Sequence, residues 1–273
     1  MVAFPNGKIN LGLHVCERKA DGFHTLESIK IPIGWHDSLE IIPSSSDGLR
    51  LITHGKPIPE SGENILDKAY KLLSRSFDLP GIECHLIKNI PMGAGLGGGS
   101  SNASFFIKMM NTYFGLGFTD EDMQSIVAKL GSDCPFFINN QAAFATGTGI
   151  ELEPIDIDLD CLQLLVVHPG IHVSTAWAYK QIKPNPDRAS LKELIRNARS
   201  SWLDLIVNDF ETPIFQSYPE IGLIKMELLE SGALYASMSG SGSAVYALFE
   251  NGVPQFEWPP HYSTWQGPAT LGL

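Results

Sequence analysis

Cysteine is scarce in this chain. Four residues in 273, Cys16, Cys84, Cys134 and Cys161, are widely spaced, with no C-x-x-C pair. That scatter predicts reduced, mostly buried thiols in a cytoplasmic protein, with no zinc spacing. Long apolar runs are missing as well, so no membrane span is expected. The opening residues lack a basic segment followed by an apolar core, and no secretory signal is read there. Positive charge is short: 19 Lys and Arg stand against 30 Asp and Glu, for a net charge of −11. A nucleic-acid binder carries a basic face, and none is evident. His168 and His172 lie four apart, but Pro169 and Gly170 intervene. A shared helix face is therefore not expected, and no metal ligand is assigned. There are no internal repeats or low-complexity tracts. What remains, 44% hydrophobic and 18% charged residues, predicts a soluble globular protein of one large or two modest domains.

Glycine, by contrast, is concentrated. In the run Pro91 to Ala103, five glycines stand among seven residues, and Ser100 and Ser101 follow at once. Without a Cβ, such a backbone turns tightly and approaches a ligand closely. The pattern beyond is helical, with Ala103, Phe106, Ile107 and Met110 on one face and Gly115 as the stop. A loop that enters a helix aims several N–H groups, and the positive end of the helix dipole, at one spot. That is an anion site, most often for phosphate. The plainer alternative is a flexible linker, but linkers seldom run straight into an amphipathic helix.

Strands are predicted at 8–16, 29–33, 38–42, 82–90, 142–146, 162–168, 234–238 and 244–249. Helices are predicted at 64–74, about 101–114, 119–131, about 190–198 and 219–231. In the first strand Ile9, Leu11, Leu13 and Val15 alternate with polar positions, which predicts one wet face. Strand 82–90 alternates too, with Glu83, His85 and Lys88 placed outward. Residues 153–160 are acidic and irregular. The boundary is placed there, giving domains 1–154 and 155–273. The tail beyond Gly252 is rich in proline and aromatics, and its role is open.

Three kinds of phosphate loop compete. The P-loop of nucleoside triphosphatases needs a Lys directly after its last Gly, where this chain has Ser100. The dinucleotide fingerprint G-x-G-x-x-G matches from Gly93 to Gly98. It wants a buried parallel strand before it and an acid closing the next strand. Here the acids Asp120, Glu121 and Asp122 open a helix instead. The third pattern is P-x-G-x-G-L-G-[GS]-S-S. It resembles the phosphate loop of the GHMP kinases, a superfamily of small-molecule kinases.

The rest of the chain supports that likeness. Lys8-Ile9-Asn10-Leu11 resembles the first motif of the superfamily, and Ser239-Gly240-Ser241-Gly242-Ser243 its third. The resemblance covers Asn6 to about Phe249. It implies an α+β fold: an N-terminal nucleotide-binding α/β domain and a C-terminal ferredoxin-like α+β domain, with a cleft between them. It implies ATP as phosphate donor with Mg²⁺. Ala20 to Leu26, Leu130 to Phe136 and Val173 to Thr175 resemble members that phosphorylate a cytidine-diphosphate-linked sugar alcohol in the non-mevalonate route to isoprenoid precursors. Mevalonate- or homoserine-type kinases are the near alternative, and a dinucleotide-dependent oxidoreductase the distant one. Monomer and homodimer both remain open.

Asp133 precedes the apolar stretch Cys134 to Phe137, and a partly desolvated carboxylate is a better proton acceptor. The resemblance makes it the base; the alternative is that Ser132 or Asp133 caps a helix. Lys8 is the expected partner of Asp133, or else a solvated strand-edge lysine. Asn10, two residues on, emerges on the same face as Lys8 and contacts substrate by resemblance. His24 and Phe23 resemble a base-recognition pair, with Tyr179 as candidate for the opposite face of the base or as a core aromatic. Asp21 suits a turn. Pro91, Met92, Gly93, Ala94, Gly95, Leu96, Gly97, Gly98, Gly99, Ser100 and Ser101 are assigned to the ATP phosphates. Asn64 is placed near the adenine, or caps its helix. Thr175, Ser239, Gly240, Ser241 and Gly242 are assigned to the acceptor.

Overall fold

A computed structural model of the chain describes residues 1–58 and 63–271. In chain order the strands are β1 (Val2–Ala3), β2 (Asn6–Arg18), β3 (His24–His36), β4 (Ser38–Pro43), β5 (Leu49–Gly55), β6 (Ile82–Lys88), β7 (Ala143–Thr146), β8 (Glu151–Pro154), β9 (Gln163–His168), β10 (Tyr235–Met238), β11 (Val245–Phe249) and β12 (Ser263–Pro268). The helices are α1 (Ile65–Ser74), α2 (Gly98–Phe114), α3 (Asp120–Val127), α4 (Phe136–Asn139), α5 (Thr175–Gln181), α6 (Leu191–Leu194), α7 (Trp202–Leu205), α8 (Glu211–Ser217) and α9 (Pro219–Glu230). The α+β class expected from the sequence is the one that forms.

The chain divides into two compact units: Met1–Gly7, Trp35–Met92 and Gly97–Gln141 in the first, and Lys8–Gly34, Gly93–Leu96 and Ala142–Leu273 in the second. The division expected from the sequence, 1–154 and 155–273, cuts the chain once. The two compact units interleave along the chain, since β2, β3 and the glycine loop each change unit along their length.

The first unit carries a sheet in the order β1-β4-β6-β5. β4 runs antiparallel to β6, and β5 runs parallel to it. Leu39, Ile41, Ile82, Cys84 and Leu86 form one buried cluster with Leu66, Ala69 and Leu73 of α1 and Ala103, Phe106, Ile107 and Met110 of α2. These positions recur at period two in the strands and at helical spacing in the helices, so each element buries one stripe. α3 opens with a capping box between Thr119 and Asp122, as its sequence predicts. It ends at Val127 rather than 131, where the bonds tighten to Lys129 N–Ile126 O and Leu130 N–Val127 O.

The end of β6 departs from expectation. Lys88 does not face outward: it is 1% exposed, on the same buried face as Ile82, Cys84 and Leu86. Its Nζ donates to Asp37 Oδ2 and to Asn102 Oδ1. Asp37, fully buried, also accepts from Asn102 Nδ2 at 2.9 Å, Asn89 N at 2.7 Å and Ile90 N at 2.9 Å. Buried charges persist when paired and hydrogen-bonded in this way. Burial still pushes the Lys88 ammonium below the usual lysine range, against the pull of Asp37.

The second unit holds two sheets, ordered β2-β3-β7-β8 and β10-β11-β9-β12. Leu13 and Val15 of β2 join a core built from Leu165, Val167, Met238, Val245, Ala247 and Phe249, with Ile214, Ile221, Ile224 and Leu228 of α8 and α9. β2 has no wet face up to Val15: Lys8, Asn10 and His14 are buried along with the apolar positions. Helix 190–198 shortens to the single turn α6, capped by Ser190. The tail finds a place as an edge strand. β12 pairs antiparallel with β9, Trp265 opposite Val166, and a Cβ added to Gly34 would meet Trp265 at 3.0 Å. Before it, Phe256, Trp258 and Tyr262 stack with centroids 5.2 and 5.9 Å apart.

Candidate active site

In the second unit, three stretches far apart in sequence meet: the start of β2, the first half of the glycine loop, and the turn between β10 and β11. Lys8, 3% exposed, donates from Nζ to Asn10 Oδ1 at 2.5 Å and to Gly95 O at 2.9 Å. Its backbone N–H donates to Leu96 O at 2.9 Å. Lys8 is thus no solvated strand-edge lysine; its ammonium is fixed against the loop. Asn10 shares that face and donates from Nδ2 to Ser28 Oγ at 2.7 Å, which donates in turn to Gly12 O. The Asn10 side chain is locked in one orientation.

The β10–β11 turn grips the same loop. Ser239 Oγ donates to Gly95 O at 2.9 Å, and Ala244 N to Ala94 O at 3.1 Å. At Gly95 the chain has φ of +79°, and a Cβ there would lie 1.9 Å from Ser239 O. Only glycine fits that position. Gly240 is held by Asn208, buried, whose Nδ2 donates to Met238 O and Gly240 O at 2.7 and 2.8 Å. Asn208 was missed from the sequence, and a lone Asn in a loop carries no signal that would have found it. Ser241 Oγ and Thr175 Oγ1 lie 2.9 Å apart. The hairpin turn expected at 239–242 forms between β10 and β11, with Ser239 bonded to Gly95 and Ser241 to Thr175.

The aromatic residues are divided. His24 and Tyr179 stack at 4.9 Å with their planes 22° apart. Tyr179 also meets Phe210 edge-on at 4.9 Å. Phe23 is 64% exposed, and Asp21 Oδ1 accepts from its backbone N–H at 3.0 Å. That is the turn role expected of Asp21. Burial, and Arg18 more weakly, lower the His24 pKa, so the ring is neutral near pH 7, with one donor and one acceptor nitrogen.

In the first unit, α2 begins at Gly98 rather than Ser101, so the last glycines of the loop form its first turn. Ser101 Oγ is buried with no hydrogen-bond partner among the described residues. An orphaned hydroxyl at a helix N-terminus suits a phosphate oxygen or a cation. Ser104 Oγ donates to Ser100 O at 3.0 Å and to Cys134 O at 2.7 Å. It ties the first turns of α2 to the turn that carries Asp133. Asp133 is half-buried there. The cap position of the following helix, α4, is Pro135, with no side-chain cap bond, so neither Ser132 nor Asp133 is its N-cap. Asn64 does cap α1, accepting from Leu66 N at 2.9 Å.

Comparison with known proteins agrees with this assembly. The family model of the GHMP kinases N terminal domain matches residues 64–147, and that of the GHMP kinases C terminal region matches 184–255. A 4-diphosphocytidyl-2-C-methyl-D-erythritol kinase of Bacteroides fragilis is 46% identical over 252 residues, 91% of this chain and 92% of its own. One of Azobacteroides pseudotrichonymphae is 48% identical over 252 residues, 92% of this chain and 94% of its own. The crystal structure of a 4-(cytidine 5'-diphospho)-2C-methyl-D-erythritol kinase superposes with a TM-score of 0.77 at 30% identity, covering 92% of this chain and 90% of that one. With the loop, its two clamps and these relatives in hand, the chain belongs to the GHMP kinases, ATP-dependent small-molecule kinases, and among them to the 4-diphosphocytidyl-2-C-methyl-D-erythritol kinases.

Proposed function

We propose that this kinase transfers the γ-phosphate of ATP to the 2-hydroxyl of 4-diphosphocytidyl-2-C-methyl-D-erythritol, a step toward isoprenoid precursors. The observation that carries the choice of acceptor is the stacked pair His24–Tyr179, in the same unit as Lys8 and Asn10. A neutral imidazole that both donates and accepts can read the edge of a base, and an aromatic face can stack on it. Mevalonate and homoserine have no base to read.

In this reading the acceptor oxygen attacks the γ-phosphorus, the bond to the β-phosphate oxygen breaks, and the hydroxyl proton passes to Asp133. Lys8, held by Asn10 and Gly95, supplies the positive charge that favours the ionised hydroxyl. Phosphoryl transfer is chiefly positioning and charge stabilisation. Pro91 leads into the loop, residues Met92 to Ser101 supply backbone N–H groups to the phosphates, and Asn64 lies by the adenine. The orphaned Ser101 hydroxyl suits Mg²⁺, with Ser100 beside it. When bound, Mg²⁺ neutralises charge on the phosphates. Thr175, Ser239, Gly240, Ser241 and Gly242 shape the acceptor side, and Phe23 is an exposed second face for the base. In this reading residues 1–154 are the ATP-binding N-terminal domain of the kinase and residues 155–273 its C-terminal domain.

The test is ATP turnover with Mg²⁺ and the cytidyl sugar alcohol, with mevalonate and homoserine as controls. Turnover with the cytidyl substrate alone is expected. Turnover with a control instead would remove the base-recognition reading and keep the kinase.

A further inference from the structure

His172 has no part in the site as described so far. It is exposed, on the segment between β9 and α5. That segment is not loose. Ile171 O accepts from Ser243 Oγ, Val173 is 2% exposed, and Thr175 is bonded to Ser241. The ring is therefore presented from a fixed backbone. It lies over the first glycine of the loop: a Cβ on Gly93 would stand 2.9 Å from His172 Nδ1 and 3.3 Å from Cε1. No hydrogen-bond partner of the ring occurs among the described residues. Nearby loop carbonyls are already engaged, Ala94 O by Ala244 and Gly95 O by Lys8 and Ser239. The imidazole thus offers a ring N–H, with no acceptor of its own, at the mouth of a phosphate loop.

We propose that His172 donates a hydrogen bond to a phosphate oxygen of a diphosphate-bearing ligand, and is a further binding residue of this kinase. The inference rests on the kinase reading above. Two bound molecules would carry that chemistry, the nucleotide donor and the diphosphate of the acceptor. Gly93 is at the end of the loop remote from α2, and His172 precedes Thr175 by three residues, which favours the acceptor.

Calorimetric binding of ATP, cytidine diphosphate and cytidine to wild type, His172→Ala and His172→Gln tests this without turnover. A donated bond to a charged group leads to an expected loss of about fivefold to thirtyfold in His172→Ala. That loss should fall on cytidine diphosphate if the acceptor is the source, or on ATP if the donor is. His172→Gln, which keeps a donor, should recover most of it, and cytidine should bind unchanged. The surface position keeps folding out of the comparison. Undiminished binding of both phosphorylated ligands to His172→Ala overturns the proposal, as does equal weakening of cytidine. A wild type that binds neither ATP nor cytidine diphosphate brings down the kinase reading and this proposal together. Wild-type binding with an indifferent variant brings down this proposal alone.

Discussion

Asp37→Asn should be among the most damaging isosteric changes in the first unit. The carboxylate is 0% exposed and accepts four hydrogen bonds, from Lys88, Asn102 and the backbone of Asn89 and Ile90. An amide has one oxygen and one NH₂. Whichever way it turns, one pair of donors faces another donor, and the Lys88 ammonium, 1% exposed, loses its counter-charge. Stranding a buried charge costs about 3–5 kcal/mol. Lys88→Met strands the Asp37 carboxylate in its turn, but should cost less than Asp37→Asn, because Asp37 keeps three N–H donors and the thioether fills the space of the lysine stem. The double variant removes the stranded ammonium, so its cost should fall short of the sum by about 1–3 kcal/mol. Urea unfolding followed by two probes measures all three, the second probe checking for separate transitions of the two units. Strict additivity, or Lys88→Met as costly as Asp37→Asn, would refute the argument. Asn89 and Ile90 lead straight into Pro91, so both single variants should also raise KM for ATP more than KM for the acceptor.

Other consequences can be checked separately. Asp133→Asn should lower kcat by roughly 10²–10⁴, the usual worth of general-base help, with ATP affinity intact; near-normal kcat would remove the base assignment. Gly95→Ala places a Cβ 1.9 Å from Ser239 O at φ of +79°, and should lower the melting temperature by several degrees or prevent folding. Gly99→Ala, with nothing within 4 Å of its Cβ, should melt at or above wild type, since alanine in a helix is favoured by about 0.5–1 kcal/mol; equal effects of the two changes would contradict the packing described. Burial, with Arg188 second, holds the pKa of His14 down to about 4. The unfolded chain, with an ordinary value of about 6.5, binds that proton first as pH falls. The contribution is therefore whole above about pH 6.5 and lost progressively toward about pH 4. His14→Gln should flatten that part of the stability–pH curve, and an unchanged slope would show that His14 does not titrate there.

The legible parts of this chain were those where one local rule decides the outcome. Helical spacing at Ala103, Phe106, Ile107 and Met110 places α2, and the Thr119–Asp122 capping box starts α3. The glycine loop announced itself because few other structures need five glycines in seven residues. Partnerships across the sequence were hidden. Nothing local distinguishes Lys88 from a solvated strand lysine, because its counter-charge is 51 residues away. β5 was unread because Leu49–Gly55 has a weak pattern and owes its place to parallel pairing with β6. α5, capped by Ser174, was unread too, because Thr175 and Tyr179 within it were read only as site candidates.

The tail shows why such errors concentrate at edges. Ser263–Pro268 alternates half-buried and exposed positions, yet Gly267 and Pro268 argue against a strand when read alone. An edge strand tolerates both, because one side of its backbone has no partner to lose. Its register with β9 then fixes what the residues do: Trp265 lies opposite Val166 and beside Gly34, where a Cβ would stand 3.0 Å from the indole. Gly34 is thus explained by a tryptophan more than two hundred residues later, and the strand by a β9 edge that would otherwise remain unpaired. Local propensity could not decide this segment, because its structure is set by the neighbour it completes.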